Sequence, residues 1–326
     1  MSERLLRLLS ERQGEYVSGE AISKQLQVSR TAVWKQIRKL QEKGYRFEAS
    51  PRLGYRLLEA PAHLEPEEIM SKLSTKRLGR RIERLEAVPS TQDIAHQLAA
   101  EGAPEGTLVL AEQQLKGRGR MGRGWVSPRG KGIWMSLVLR PRLALPFAPQ
   151  LTLLTAVALC RSLRRMSGAE IGIKWPNDLL IDGKKISGIL LESTAEEERI
   201  RYVIAGIGIS VNLEADDYPD ELLQRAVSLR MATGRSYDRT ALIVEFLDEL
   251  EQLYDLFAQE GFAPIRSLWE ALSVSLHRPA TLTTPQGVLT GVPVGLAESG
   301  ALLVRLGDGE VRAVFSAEMG ASSSGR

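Results

Sequence analysis

Residues 116–131, KGRGRMGRGWVSPRGK, hold six cations and five glycines with no acid among them. Glycine lets the main chain reach φ > 0 and pass close to a ligand. Arginine presents a planar fork of donors that keeps its charge at any working pH. Successive N–H groups in such a segment form an anion-binding concavity. The flanking residues, 106–113 (GTLVLAEQ) and 132–139 (GIWMSLVL), read as strands. The fold must therefore carry a long cationic loop between two strands, where a rigid scaffold can aim it. On its own the loop fits a multiply negative small ligand, and it also fits nucleic acid held through charge.

Composition narrows the choice. The 326 residues are 43% apolar and 25% charged, which predicts a globular chain of two or three domains. No apolar run is long enough to span a bilayer, and residues 1–16 lack a signal-peptide core, so the expected location is the cytoplasm with no membrane partner. A single cysteine, Cys160, excludes an intramolecular disulfide. It sits in an apolar helical pattern with nothing nearby to lower its pKa, so it reads as a core residue rather than a nucleophile. Histidines at 63, 96 and 277 are too scattered for a His/Cys metal cluster. Gly206 and Gly208 lack the third glycine and following helix of a dinucleotide fingerprint, and neither a Walker A segment nor a serine-hydrolase elbow is present.

The formal net charge of +3 is unevenly spread. Residues 1–60 hold twelve Lys/Arg and seven Asp/Glu, leaving 31 cations against 33 acids in the rest. Such asymmetry predicts a polyanion-binding appendage on a near-neutral body. Within it, residues 18–27 read as a short helix. Ser29 caps a second helix whose buried stripe is Val33, Ile37 and Leu40 and which Gly44 ends. The other face of that helix carries Arg30, Thr31, Trp34, Lys35 and Arg38, and residues 45–58 read as a hairpin with Arg52 in its turn. Helix, turn, basic helix and hairpin predict a winged helix-turn-helix at 1–62, with Ser29, Arg30, Thr31, Trp34, Lys35, Arg38 and Arg52 facing operator DNA. Residues 59–66 read as a linker.

In the centre, Ser90 or Thr91 precedes an amphipathic helix at 93–101, and residues 150–166 form a long apolar helix. Residues 171–175 form a strand broken at Pro176-Asn177-Asp178. Residues 179–181 and 185–192 then pair as a hairpin around Asp182-Gly183, and 200–211 form a further strand. Residues 236–272 read as two helices. From 278 onward short strands separated by glycine turns predict a small SH3-like β-barrel, with 321–326 as a disordered tail.

Ser90-Thr91-Gln92, Gln114 with Gly117-Arg118-Gly119-Arg120, Lys174-Trp175-Pro176-Asn177-Asp178 and Lys185-Ile186-Ser187-Gly188 together resemble biotin–protein ligases. With the winged helix in front, the chain resembles the bifunctional class that also represses biotin genes. The resemblance implies an α+β, multidomain fold. A winged helix (1–62) precedes a mixed α/β ligase domain similar to class II aminoacyl-tRNA synthetases (63–276) and an SH3-like C-terminal domain (277–320). It implies two steps: biotin and ATP give biotinyl-5′-AMP, and a lysine of biotin carboxyl carrier protein then takes the biotin.

By the same resemblance, Arg118, Arg120, Lys185 and Asp178 are the expected catalytic groups. Ser90, Thr91, Gln92, Gln114, Gly117, Arg118, Gly119, Arg120, Lys185 and Gly188 are expected to bind biotin. Arg120, Arg123, Trp125, Lys174, Asn177, Asp178 and Asn212 are expected on the ATP side, with Asp178 the possible magnesium contact and no other metal site. The adenylate is expected to act as corepressor and to favour a homodimer on DNA. Two departures stand out: Met121 where the family often has arginine, and Ser210 where it usually has asparagine. Residues 213–224 match the segment that covers the adenylate, with Tyr218, Leu222 and Leu223 as its apolar members. The competing readings are a biotin-sensing transcription factor without ligase activity, and a lipoyl-type ligase.

Overall fold

The computed structural model describes residues 2–10, 12, 14–41, 45–59 and 63–321. They form two compact units, one of residues 1–63 with the short stretch 129–131, the other the remainder from Leu64 onward. In the first unit α1 (Ser2–Ser10), α2 (Gly19–Leu26) and α3 (Arg30–Gln41) precede a two-stranded antiparallel hairpin, β1 (Arg46–Ser50) and β2 (Gly54–Glu59). The Ser18 hydroxyl caps α2, and Gln27 ends it in the left-handed region. Val33, Ile37 and Leu40 of α3 are buried with Ile22, Leu5, Leu8 and Leu9, which is where the 3.6-residue periodicity places them. Helix α1 is a difference from the sequence reading, and its leucines complete this small core. Gly44, read as the end of α3, lies outside the described residues.

The second unit is built on a seven-stranded mixed sheet of order β3-β4-β5-β9-β8-β7-β6. Its strands are β3 (Arg81–Leu85), β4 (Thr107–Ala111), β5 (Ile133–Leu139), β6 (Ile171–Lys174), β7 (Asp178–Ile181), β8 (Lys184–Glu196) and β9 (Arg199–Ile209). Strands β3 and β4 are parallel and all other neighbours are antiparallel. The helices are α4 (Pro66–Lys72), α5 (Thr91–Ala100), α6 (Ala148–Ser167), α7 (Leu229–Thr233), α8 (Arg239–Glu260) and α9 (Phe262–Leu272).

Helix α5 covers one face of the sheet, burying Ala95 and Ala99 against Val109, Val138, Tyr202 and Ile204. Helices α6, α8 and α9 bury the other face against the odd-numbered β9 residues of that alternation, Val203, Ala205, Ile207 and Ile209. A fully buried aliphatic side chain of this kind contributes about 1.5–3 kcal/mol. Cys160 lies in this core, its thiol 3.3 Å from the Ile171 carbonyl and pushed up to about 11 by burial.

The C-terminal part is a five-stranded antiparallel sheet, β13-β12-β11-β10-β14. Its strands are β10 (Ala280–Thr284), β11 (Gly287–Leu296), β12 (Leu302–Arg305), β13 (Val311–Val314) and β14 (Glu318–Ala321). The architecture is α+β. Two differences from the sequence reading are that α4 and β3 occupy residues to which it assigned no element, only Pro66 falling within the linker read at 59–66, and that Ala321 belongs to β14 rather than to a tail. Residues 322–326 lie outside the described residues.

Candidate active site

One buried ion pair ties together the two ends of the cationic loop. Glu112, 1% exposed at the end of β4, accepts from Arg239 at 2.9 Å and from the Leu64 amide at 2.8 Å. Arg239 also donates to the Gly132 carbonyl at 3.0 Å, where the loop returns to β5. The chain between them crosses the α5 face of the sheet. Ser90 is the N-cap of α5, its hydroxyl accepting from the Gln92 amide at 3.3 Å, so the plain capping role and a site position coincide here.

Beneath the cap lies a polar network in an otherwise apolar sheet. Thr91 donates from its amide to Gln114 Oε1 at 2.9 Å, and its hydroxyl lies 2.8 Å from that of Ser136. Ser136 donates to Gln92 Oε1 at 2.9 Å, and the Gln92 amide donates to the Leu190 and Ile204 carbonyls at 3.2 and 3.3 Å. Gln114 Nε2 donates to Ser127 at 3.1 Å. Ser90, Thr91 and Gln92 are all 3% exposed or less. Buried amides and hydroxyls of this kind fit a neutral ligand head with both donors and acceptors.

Glycine on this face has a steric purpose. A Cβ at Gly206 would collide with the Gln92 amide, and one at Gly208 with the Trp125 indole. Gly188 pairs directly with Gly208 across β8 and β9, and its Cβ would stand 3.0 Å from Lys185 Nζ. Lys185 Nζ is 2.7 Å from Asp178 Oδ1 and 5.1 Å from the centroid of Trp125. The hairpin explains the meeting: Asp178 opens β7 opposite Gly188, Lys185 lies on β8 opposite Leu180, and an irregularity between Leu179 and Leu180 shifts the register between them.

Arg120 donates to Asn177 Oδ1 at 3.2 Å and to the Ser316 hydroxyl at 2.9 Å, so the C-terminal sheet reaches the loop. Burial lowers its guanidinium pKa, against the pull of Asp178, yet arginine stays charged. Arg123 pairs with Glu318 of β14, which holds that carboxyl below its usual range. Asn177, 8% exposed, donates to the Ile189 carbonyl at 2.6 Å. Lys174 ends β6 on the same turn, and Trp175, 2% exposed, is core.

Arg118, expected from the sequence among the catalytic and biotin-binding groups, has carboxylate partners within the protein. It is held by Asp93 at 2.6 Å and Glu192 at 3.4 Å, and His96 lies 3.2 Å from the same Glu192. Two carboxylates already balance its charge, so its geometry is that of a latch fastening the loop to α5 and β8. Both ends of the Asn212 amide are engaged by the Tyr237 backbone, at 2.8 and 2.9 Å. Gly117 and Gly119 lie in the loop, Gly117 with no room for a Cβ beside Ser127 and Gln114.

Sequence reasoning missed Asp93, His96, Ser136, Glu192, Ser316 and Glu318. Only contacts between distant elements reveal them. A cleft lined by Arg120, Asn177, Ala148, Thr152, Leu191 and Phe315 adjoins the Arg120–Asn177 end of the site on the α6 side.

In the first unit Trp34 is 47% exposed on α3 with the Arg38 guanidinium 5.0 Å over its ring. Arg30, Thr31 and Lys35 are exposed along the same helix, Arg52 is exposed in the β1–β2 turn, and the Ser29 hydroxyl accepts from Ala32 at 3.2 Å as the helix cap.

A DNA-binding head, a ligand-binding mixed sheet with a glycine–arginine loop, and a small β domain reaching that loop define a ligase that carries its own operator-binding module. Residues 85–210 match the biotin/lipoate A/B protein ligase family, residues 2–56 an HTH domain, and residues 278–319 the biotin protein ligase C-terminal domain. The chain is 45% identical over 315 residues to the bifunctional ligase/repressor BirA of Bacillus spizizenii, covering 97% of each. It is 30% identical over 311 residues to that of Escherichia coli, covering 95% of this chain and 94% of the other. The biotin protein ligase of Aquifex aeolicus, solved in complex with biotin and ATP, superposes with a TM-score of 0.64 at 30% identity over 74% of this chain and 98% of that one. The chain belongs to the family of the bifunctional biotin ligase/repressor BirA.

Proposed function

We propose that the protein condenses biotin with ATP to biotinyl-5′-AMP, transfers the biotin to a lysine of biotin carboxyl carrier protein, and represses biotin genes in the adenylate-bound state. The observation that carries the ligase reading is the meeting, on one sheet face, of a buried amide–hydroxyl network (Thr91, Gln92, Gln114, Ser136) with the Lys185, Asp178 and Arg120 charges. The ureido head of biotin fits the first, and the carboxylate and α-phosphate fit the second. The domains run 1–62, 63–276 and 277–320.

In the first step a biotin carboxylate oxygen attacks the α-phosphorus. An O–P bond forms, the bond to the β-phosphate oxygen breaks, and pyrophosphate leaves. Two anions must approach, so fixed cations and N–H donors that need no reorganisation lower the barrier most. Lys185 leaves Asp178 for the carboxylate, and Arg120 turns from Ser316 to the phosphate. Trp125 lies over Gly208 to cover the acyl chain. Gly117, Gly119 and Gly188 let backbone pass close, Ser90 holds α5 over the head, and Arg118 latches the loop. Lys174, Asn177 and Arg123 flank the nucleotide.

A magnesium ion carried on the triphosphate would find Asp178 as its protein carboxylate. No cluster of three or more His, Cys, Asp or Glu side chains is present among the described residues, which fits an ion held chiefly by phosphate oxygens. Bound there, it would offset charge on the phosphates. In the second step the carrier lysine attacks the acyl carbon, a C–N bond forms, AMP leaves and the amine gives up a proton.

The basic face of α3, with Arg30, Thr31, Trp34, Lys35 and Arg38, and Arg52 of the hairpin, reads operator DNA. Beyond Ile189, β8 has no strand partner on the side away from β9 among the described residues, an edge suited to pairing with a second copy across a two-fold axis. Among the described residues no helix is long and apolar enough to cross a membrane. The test is twofold. Incubation with carrier domain, biotin and ATP should add one biotinyl mass to a single lysine, and footprinting should show operator protection that needs both ligands. A lipoyl adduct, or protection indifferent to ligand, would contradict this reading.

A further inference from the structure

Helix α3 divides its large apolar residues between two environments. Val33, Ile37 and Leu40 are 3% exposed or less and form the small core, while Trp34, one position on from Val33, is 47% exposed. Its neighbours on the outer face, Thr31, Lys35, Arg38 and Lys39, are all exposed. An indole half in water among three cations is a costly surface for a free protein. It suits an anionic partner that offers one apolar group among its charges.

The ring is also held in place. The Arg38 guanidinium, one helical turn further on, lies 5.0 Å from its centroid. A cation over the face of a tryptophan is attracted by the ring, so the two side chains share one arrangement before any partner arrives. Such preorganisation lowers the cost of ordering them on binding. Four residues of helix rise about 6 Å, less than two base-pair steps of about 3.4 Å. Trp34 is the fifth of the twelve residues of α3, within the half of a recognition helix that reaches base edges.

Phosphates offer charge and oxygen acceptors, so an indole gains little from them. The floor of the major groove differs. Thymine presents its C5 methyl there, and guanine presents O6 and N7, which match the arginine fork. We infer that Trp34 reads a thymine methyl in the operator, and that Arg38, stacked on it, reads a guanine within two base pairs of that thymine. Trp34 is thereby a specificity-determining residue, and Arg30, Lys35 and Lys39 around it supply charge. This rests on the reading of α3 as the operator-binding helix given under Proposed function.

The experiment begins by selecting duplexes from a random pool with the full chain, biotin and ATP. Each thymine of a selected half-site is then replaced by deoxyuridine, which lacks only the methyl, and each guanine by 7-deazaguanine, which lacks N7. One deoxyuridine is expected to weaken wild-type binding about fourfold, the worth of one buried methyl. A 7-deazaguanine within two base pairs of it should weaken binding about tenfold. Trp34→Ala should bind the thymine and deoxyuridine duplexes equally and keep the salt dependence of wild type, since no phosphate contact is lost. Arg38→Ala should erase the 7-deazaguanine penalty. The substitutions in the DNA test the wild-type protein itself, so the result does not depend on how the variants fold. A half-site without thymine, no deoxyuridine penalty at any position, or a penalty that survives Trp34→Ala would overturn the assignment. So would a reduced salt dependence in Trp34→Ala, or a 7-deazaguanine penalty that is absent near that thymine or survives Arg38→Ala. Failure to enrich any sequence would instead overturn the operator-binding reading on which it rests.

Discussion

Lys185 Nζ lies 2.7 Å from Asp178 Oδ1, so the cation assigned to the biotin carboxylate is already held by a carboxylate of the protein. The pair is about a third exposed on the lysine side and a quarter on the aspartate side, with 32% and 25% of the side chains accessible. An ion pair this accessible contributes under about 1 kcal/mol to stability. Its value lies in presetting where the ammonium stands before substrate arrives.

Lys185→Gln should therefore separate catalysis from stability. Loss of a preorganised charge at the reacting centre is expected to lower kcat/KM for adenylation by about 100- to 1,000-fold. The urea midpoint should move little. Single-turnover formation of the adenylate checks the first, and equilibrium unfolding the second. A destabilised variant with near-normal adenylation would refute the role.

The Arg118 latch makes a kinetic prediction. Asp93→Asn or Glu192→Gln removes one carboxylate from Arg118, loosening the loop that covers the ligand. These bonds are partly solvated, so release of the adenylate should speed up by roughly fivefold, about 1 kcal/mol. Chase of bound adenylate with excess biotin measures this. An unaltered off-rate in both variants would return Arg118 to direct ligand binding.

Arg239 and Glu112 are 2% and 1% exposed and joined at 2.9 Å. Arg239→Met leaves Glu112 charged in the core with Arg84 still 3.6 Å away, so the break costs up to about 3–5 kcal/mol. Replacing both partners by apolar residues of similar volume should recover most of that loss. Urea unfolding of the three variants tests the order.

Glu251 gives a pH dependence. Burial raises its pKa, but the amides of Leu78, Lys76 and Arg77 bond its two oxygens at 2.8, 2.6 and 3.0 Å and win, so the folded-state pKa is lowered. A carboxyl lowered on folding contributes stability above its unfolded value, and that stability is lost as pH falls through the folded value. Glu251→Gln should cost about 1–3 kcal/mol at neutral pH. The gap to wild type should narrow on acidification below about pH 4.5, the ordinary carboxylate value. Parallel stability curves down to pH 3 would contradict this.

The elements legible in the sequence are those specified locally. The Lys174–Lys185 hairpin announces itself because a Pro-Asn break and an Asp-Gly turn fix its register within a dozen residues. The α3 stripe follows from its period, and the glycine–arginine loop from its composition. The latch of Arg118 was not legible, since Asp93 and His96 come from a helix and Glu192 from a strand 74 residues beyond the arginine. Nor was the contact of Arg120 with Ser316, 196 residues away. Strand β3, RIERL, hides because an edge strand with alternate charged residues looks like a loop. Helix α1 was passed over because its charges drew the reading toward targeting signals. The bonds of the Asn212 amide to the Tyr237 backbone were not legible either, since they are set by tertiary structure alone.

The most direct test of the central claim is exchange of labelled pyrophosphate into ATP by the purified full chain with magnesium. The account predicts exchange that appears only when biotin is added and falls about 100-fold or more in Lys185→Gln. Exchange without biotin, or none while biotin still binds, would contradict the adenylating site formed by Lys185, Asp178 and Arg120.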